Sequence, residues 1–336
     1  MFNYFDKESC MSQDFSLLDD DRSWGIPPDT IVHEDMIYPQ AIVPTVWHIP
    51  KTLFQPIWDM GITGEGVTIA INDTGVWDEH PLLPKCKFEQ NFTSDRGNAV
   101  TPINAHGTHC AGTAVGRDGI GVAPGADLIS MKVLGGTQGS GATSWINAGR
   151  VEAARRGADV ISESLGGGGS GNPDVQAIQQ AYTLGASICV AAAGNAGYNG
   201  ANTIGYPGRY LQTWCQGAYR SDGRIANFSS GGREIDAATP GEQIVSCGYR
   251  GGFMTMSGTS MATPFMAGLF ALIIHRRRIT GFPDIKGADA IDKWRAFFQT
   301  NGLMEDAGSP GKDVRFGYGK PLINKIIEWL KEPLNV

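Results

Sequence analysis

The chain has no apolar run near the roughly 20 residues that a membrane-spanning helix needs, so no membrane partner is expected. Its first residues, MFNYFDKESCMSQDFSLLDDD, are acidic and contain no apolar core of the kind a secretory signal requires. Read as the natural start, they point to a cytoplasmic protein. No CxxC pair occurs among the six cysteines, at 10, 86, 110, 189, 215 and 247, which argues against a zinc site. In a reducing compartment these thiols are expected to stay reduced. A basic excess is also missing. With 27 Lys+Arg against 34 Asp+Glu the net charge is −7, which leaves no phosphate-binding face and excludes nucleic acid as the expected partner. The one basic run, Arg276 to Arg278, follows an apolar stretch and reads as the end of a helix, where cations meet the negative pole of the dipole.

What is present is glycine, 46 of 336 residues, and a low charged fraction of 18%, a composition that suits a compact enzyme with many tight turns. Residues 1–45 are polar, acidic and proline-containing and read as an N-terminal extension; residues 46–336 read as one domain. Within it, Val67–Asn72, Ala126–Leu134, Asp159–Leu165 and Ser187–Ala193 are short, nearly continuous apolar runs, the pattern of parallel strands buried on both faces. Helix-like segments alternate with them. Ser144–Gly157 opens on a candidate serine cap, and Asn172–Gly185 on a candidate asparagine cap followed by Pro173 at the first helical position. Shorter strands are expected near 213–220 and 243–256. A long apolar helix is expected over 260–278, and closing helices over 285–300 and 322–331. The alternation predicts a doubly wound α/β fold, a mostly parallel central sheet with helices on both faces in three layers.

Three segments place a reactive side chain where a strand or helix ends. IAINDTG (69–75) sets Asp73 at the carboxyl end of a buried strand, the edge where α/β active sites gather. HGTHCAG (106–112) holds His106 at a helix start among small residues, and MSGTSMATP (256–264) puts Ser260 at the start of the long helix. Alone, each is more often a cap, a surface histidine or an ordinary helix entry. Together, in the order Asp, His, Ser, they form one of the known orders of a nucleophile–base–orienter triad. A serine is a weak nucleophile until a base accepts its proton. In VAAAGNAG (190–197), Asn195 follows a buried strand between glycines, and its amide suits the donor role of an oxyanion hole.

On these motifs, together with SLGG, HGTHCAGTAVG and FGYG (316–319), the chain resembles the subtilisin-like serine proteases over about residues 50 to 320. The resemblance implies a serine endopeptidase, with peptides and proteins as substrates and no cofactor needed for the chemistry. It assigns Asp73, His106 and Ser260 to the catalytic triad, Asn195 to the oxyanion hole and His109 to a structural role. It also implies that Gly139–Ser140–Gly141 and Ser164–Leu165–Gly166 bind substrate as added strands, and that Ala192, Ala193, Gly194 and Gly205 line the pocket for the P1 side chain. Small residues there, with Ala196 where relatives can carry an acid, predict a large apolar P1. Thr143 stands where many relatives carry a tyrosine over S4, which predicts a more open subsite.

The chain departs from the family pattern in several places. AVGRDGIGVAP (114–124) is short and Leu82 replaces an aspartate, so the family's high-affinity calcium site is expected to be absent. A weaker site for Ca²⁺ or Na⁺ is expected from the carbonyls of Gly208, Tyr210 and Thr213 with Asp236, a plain turn being the alternative. Glu163 stands where relatives are apolar, and the sequence offers no partner for it. The extension resembles the short inhibitory arm of intracellular family members, as in a zymogen, with Met36-Ile37-Tyr38-Pro39 expected across the cleft. The oligomeric state is open. Two other functions stay open on the same chassis: a peptide ligase or macrocyclase, and a peptide-binding module without catalysis.

Overall fold

The protein is described here by a computed structural model covering residues 23–26, 31–38, 43–169 and 171–331. The extension contributes two strands, β1 (Ser23–Gly25) and β2 (Ile31–Tyr38), and helix α1 (Lys51–Asp59) follows. The regular alternation then runs β3 (Thr68–Asp73), β4 (Cys86–Asn91), α2 (His106–Val115), β5 (Asp127–Lys132), β6 (Ser140–Ala142), α3 (Thr143–Arg155), β7 (Val160–Glu163), β8 (Gly166–Gly167), α4 (Asn172–Thr183) and β9 (Ile188–Ala192). The last part adds β10 (Trp214–Tyr219), β11 (Ile235–Pro240), the hairpin strands β12 (Ile244–Cys247) and β13 (Phe253–Ser257), and helices α5 (Thr259–Ile279), α6 (Ala290–Thr300) and α7 (Ile323–Lys331).

Seven strands form one parallel sheet in the order β11-β10-β9-β7-β3-β5-β4. Its inner strands are the apolar runs of the sequence, and β3, β7 and β9 are buried at every position. Two strands escaped the apolar pattern. Edge strand β4 is half-exposed and alternates Lys87 and Glu89 with Phe88, so it has the composition of a solvated edge. Strand β11 carries Asp236 inside an otherwise small and apolar run.

Because β5 and β7 flank β3 on opposite sides, the chain reverses its winding at β3 and opens a crevice at that strand's carboxyl end. Asp73 is the last residue of β3. Helix α5 packs across β7, β9, β10 and β11 and against α2, while α3 and α4 pack on each other and α3 against β3 and β5. Every residue of α5 from Thr259 to His275 is buried, as a helix without a polar face must be. Two expected caps are displaced, Ser144 by two residues and Asn172 by one. Helix α3 begins at Thr143 with Ala142 in the cap position, and α4 begins at Asn172 after Gly171, whose φ of 84° takes the chain through the left-handed region.

Candidate active site

Asp73 and His106 meet because α2 starts directly on the turn that follows β3. A Cβ on Gly107 would lie 2.3 Å from the carbonyl oxygen of Gly75 and 3.2 Å from Asp73 Oδ1, so a side chain here would push the two elements apart. His106 Nδ1 stands 2.8 Å from Asp73 Oδ1 and 3.0 Å from Oδ2. The Thr74 amide donates to the same Oδ1 at 2.7 Å and fixes the carboxylate. With Nδ1–H directed at Asp73, Nε2 is the accepting nitrogen. It is buried and has no hydrogen-bond partner among the described residues. Burial disfavours the imidazolium, but the Asp73 carboxylate outweighs it, and the His106 pKa lies well above the ordinary value.

Ser260 is the second residue of α5, and the proline four residues on shapes its surroundings. Pro264 has no N–H to give the carbonyl of Ser260, which an interior helical residue would bond. The Ser164 hydroxyl takes that place at 2.7 Å, and the Cys110 thiol approaches the same oxygen at 3.5 Å. In return Ser260 Oγ donates to the Ser164 carbonyl at 3.3 Å. Asn195 follows β9 and Gly194, whose φ is 104°. Its Oδ1 accepts both the amide and the hydroxyl of Thr259, at 2.9 and 3.0 Å, which fixes the amide's rotation beside the turn that carries Ser260. Among the described residues, the grouping of His, Cys, Asp and Glu ligand atoms within 4.8 Å of one another is Asp73, His106 and Cys110, so it belongs to this same centre.

The family description "Subtilase family" (peptidase S8) matches residues 64–319. The chain belongs to the subtilases. Subtilisin E of Bacillus subtilis (strain 168) is 36% identical over 303 residues, which covers 89% of this chain and 74% of the relative. The major intracellular serine protease of the same strain is 38% identical over 227 residues, 65% of this chain and 71% of the relative. An intracellular serine protease of Paenibacillus polymyxa is 39% identical over 230 residues, 65% of this chain and 69% of the relative. The protein is accordingly a subtilisin-like serine protease, a hydrolase whose substrates are peptides and proteins.

In this subtilase the two expected substrate strands already hold a strand of the chain itself. β1 lies antiparallel between β6 and β8, with Trp24 opposite Gly141 and Gly167, and Gly25 opposite Ser140 and Gly166. The Ile26 amide extends the ladder to the carbonyl of Gly139 at 3.1 Å. Trp24 is buried, and its indole Nε1 donates to Thr143 Oγ1 at 2.7 Å. The described segment between the two expected substrate strands is therefore Ser23–Ile26 and not Met36–Tyr38. Met36, Ile37 and Tyr38 lie in β2, which pairs with β13, and Pro39 lies outside the described residues. Over residues 36–38 the patterning marks a strand, but one on the hairpin and not in the groove. Of the P1 candidates, Ala192 ends β9, Ala193 and Gly194 follow it, and the Gly205 amide donates to the Ala193 carbonyl at 2.9 Å.

Glu163 finds its partner in Arg150, to which the sequence pattern assigns no role. Arg150 Nε donates to Oε1 and Nη2 to Oε2, each at 2.9 Å, while Asn72 Nδ2 donates to Oε1 at 2.8 Å. The guanidinium also reaches Asn147 Oδ1 at 2.5 Å. Asn147 in turn bonds Asp174 at 3.0 Å, and the Tyr210 hydroxyl donates to Asp174 at 2.8 Å. His109 is buried, and its Nε2–H points to the carbonyls of Ile244 and Met254 at 2.9 and 3.1 Å. Burial drives its pKa down to about 3, so it is a neutral tie between α2 and the hairpin.

Of the residues expected to hold a weak cation, Asp236 and the Thr213 carbonyl share a guanidinium. Arg295 bonds both oxygens of Asp236, at 2.9 and 3.0 Å, and the carbonyl of Thr213 at 3.1 Å. The Tyr210 carbonyl accepts from the Thr213 hydroxyl at 3.0 Å, and Gly208 packs on β9, where a Cβ would meet the Ala192 carbonyl at 2.6 Å. Where the family's high-affinity calcium site is expected to be absent, the Arg117 amide donates to the carbonyl of Leu82 at 2.9 Å. The five described cysteines, 86, 110, 189, 215 and 247, are free thiols. No described helix is long and apolar enough to cross a membrane.

Proposed function

We propose that this subtilase is an endopeptidase acting through Ser260 as nucleophile, His106 as general base and Asp73 as the group that holds the imidazole tautomer. In this reading His106 Nε2 takes the Ser260 proton as Oγ attacks a peptide carbonyl, and it later protonates the leaving amine. The Asn195 amide and the Ser260 N–H at the helix start steady the oxyanion. The observation that carries the reading is the buried Asp73–His106 pair, whose one accepting nitrogen has no partner among the described residues. Small residues at 192, 193, 194 and 205 favour a large apolar P1 side chain. Free thiols, and relatives named intracellular, support a place inside the cell.

The arm is read as self-inhibitory. Strand β1 already fills the two expected substrate strands, and Pro27 follows Ile26 directly in the sequence. A second proline follows in the sequence, so the bond after Pro27 is a tertiary amide closed by a ring at its leaving nitrogen. That bond is a poor one to cleave, and the arm resembles a substrate that stays bound.

Intact-mass analysis after exposure to a fluorophosphonate tests both parts. One adduct on the full chain, absent from Ser260→Ala, is the expected result; no adduct on either protein, even with Trp24→Ala loosening the arm, would sink the peptidase reading. Trp24→Ala labelling no faster than the unchanged chain would sink the inhibitory one.

A further inference from the structure

Asp236 is wholly buried near the start of β11 and shares a guanidinium with the carbonyls of Leu211 and Thr213. A carboxylate with converging carbonyls is the donor set that hard cations take. Here Arg295, from α6, supplies the charge instead. Its Nε and Nη2 bond the two Asp236 oxygens, at 2.9 and 3.0 Å. Nη1 reaches the Leu211 carbonyl at 2.9 Å, and Nη2 the Thr213 carbonyl at 3.1 Å. The Cys215 amide completes Asp236 Oδ2 at 2.9 Å, and Lys312 Nζ stands 3.5 Å from Oδ1. Two cationic side chains thus face Asp236 and match its charge before any ion arrives, and Asp292 Oδ1 stands 3.5 Å from Arg295 Nη1 at the exposed side. A divalent cation would meet repulsion as well as oxygens that are already bonded.

This clamp holds the far end of the loop that backs the substrate groove. Gly205 bonds Ala193 at the P1 wall, and Tyr206 exchanges backbone hydrogen bonds with Gly167 of β8, at 2.9 and 3.1 Å. The loop then returns through residues 211–213 to the Arg295–Asp236 pair. We propose that Arg295 is a built-in cation: it does for this loop what a bound metal ion would do, so the shape of the groove does not depend on free calcium or sodium.

Melting curves of the full chain test this, taken on a Ser260→Ala background to prevent self-digestion, in EDTA and in millimolar calcium or sodium chloride. Without further change the melting temperature is expected to be the same in all three. Arg295→Ala is expected to melt at least about 5 °C lower in EDTA, the size that losing a buried charge partner implies. It should regain part of that loss in calcium or sodium, and the gain should vanish when Asp236→Asn is added. On the active chain, KM for a peptide substrate should rise in Arg295→Ala and fall back with the same ion, at nearly constant kcat. Three results would overturn the proposal: calcium stabilising the chain with Arg295 intact through Asp236; Arg295→Ala melting unchanged in EDTA; or Arg295→Ala losing stability that no ion returns, which would reduce the pair to an ordinary ion pair.

Discussion

Two buried carboxylate–cation pairs sit within a few residues of each other and differ in one respect. Asp73 and Glu163 each end a central strand, and each meets a basic side chain from a helix. Around Glu163 both oxygens and the guanidinium are bonded, and the pair passes into Asn147, Asp174 and Tyr210. Around Asp73 the carboxylate is bonded but His106 Nε2 is not. The neighbours Asn72 and Asp73 serve the two centres from opposite faces of β3, Asn72 toward α3 and Asp73 toward α2. Burial and pairing are common to both, so neither marks chemistry. The mark is an accepting atom left bare, at a cost the fold tolerates, which the proposed mechanism puts to use on Ser260. Asn72 Oδ1 is also bare, but it packs under Gly149, away from any nucleophile.

The comparison breaks first at Asp73. Asp73→Asn keeps the shape but reverses the hydrogen bond, presents the wrong nitrogen to Ser260, and should lower kcat on the order of 10⁴-fold with KM little changed, the loss that this replacement causes in Ser-His-Asp enzymes generally. Single-site kinetics on a chromogenic peptide check it. Glu163→Gln should do the reverse. Left without its carboxylate, Arg150 becomes a buried unpaired charge, and stability should fall by about 3–5 kcal/mol in urea unfolding while kcat per folded molecule changes little. Replacing both members, Glu163→Leu with Arg150→Met, should recover most of the loss. If Glu163→Gln instead cost turnover as Asp73→Asn does, the distinction between a closed and an open pair would be wrong.

The open pair is legible in the sequence and the closed one is not. Asp73, His106 and Ser260 stand at element ends, in motifs whose glycines record close packing, as Gly107 does against Gly75. Glu163 is visible only as an anomaly, because Arg150 lies on another element, in a helix segment that reads as an amphipathic surface. A side-chain pairing between elements leaves no periodic trace in either. The core strands are legible because burial on both faces leaves mainly apolar residues ahead of their polar carboxyl ends, whereas edge strand β4 carries charges and β11 an aspartate near its start. The arm misleads for a related reason. The apolar cluster at 36–39 looks like the ligand of a groove, yet the groove takes Trp24 between glycines, where the backbone supplies most of the pairing.

The raised pKa of His106 gives the open pair a pH dependence of its own. Turnover needs neutral His106, so its raised pKa should place the acid limb of kcat/KM above pH 6.5, with about a tenfold gain per pH unit below the pKa. Stability runs the other way. The gain from imidazolium beside Asp73 is complete below the unfolded value of about 6.5 and is lost as pH rises through the folded pKa. Activity should therefore appear as this part of the stability disappears, and Asp73→Asn should remove both trends. Parallel rate and unfolding profiles between about pH 5 and 10 check it; an acid limb below pH 6.5 would contradict the raised pKa.

The smallest expected effect sharpens the comparison at Ser164, which touches the open centre through backbone. Pro264 deprives the Ser260 carbonyl of its helical donor, and the Ser164 hydroxyl replaces it at 2.7 Å. Ser164→Ala leaves that carbonyl with the weaker thiol contact of Cys110 at 3.5 Å. A buried carbonyl losing its partner costs roughly 1–3 kcal/mol. Part of that should appear as stability and part as a looser nucleophile turn, with kcat falling roughly tenfold and the His106 acid limb unmoved. Ser164→Thr keeps a hydroxyl and should restore kcat if the added methyl fits. A shift of the acid limb in Ser164→Ala would mean that Ser164 acts on the base and not on the serine, and the closed and open centres would then be coupled through the substrate strand.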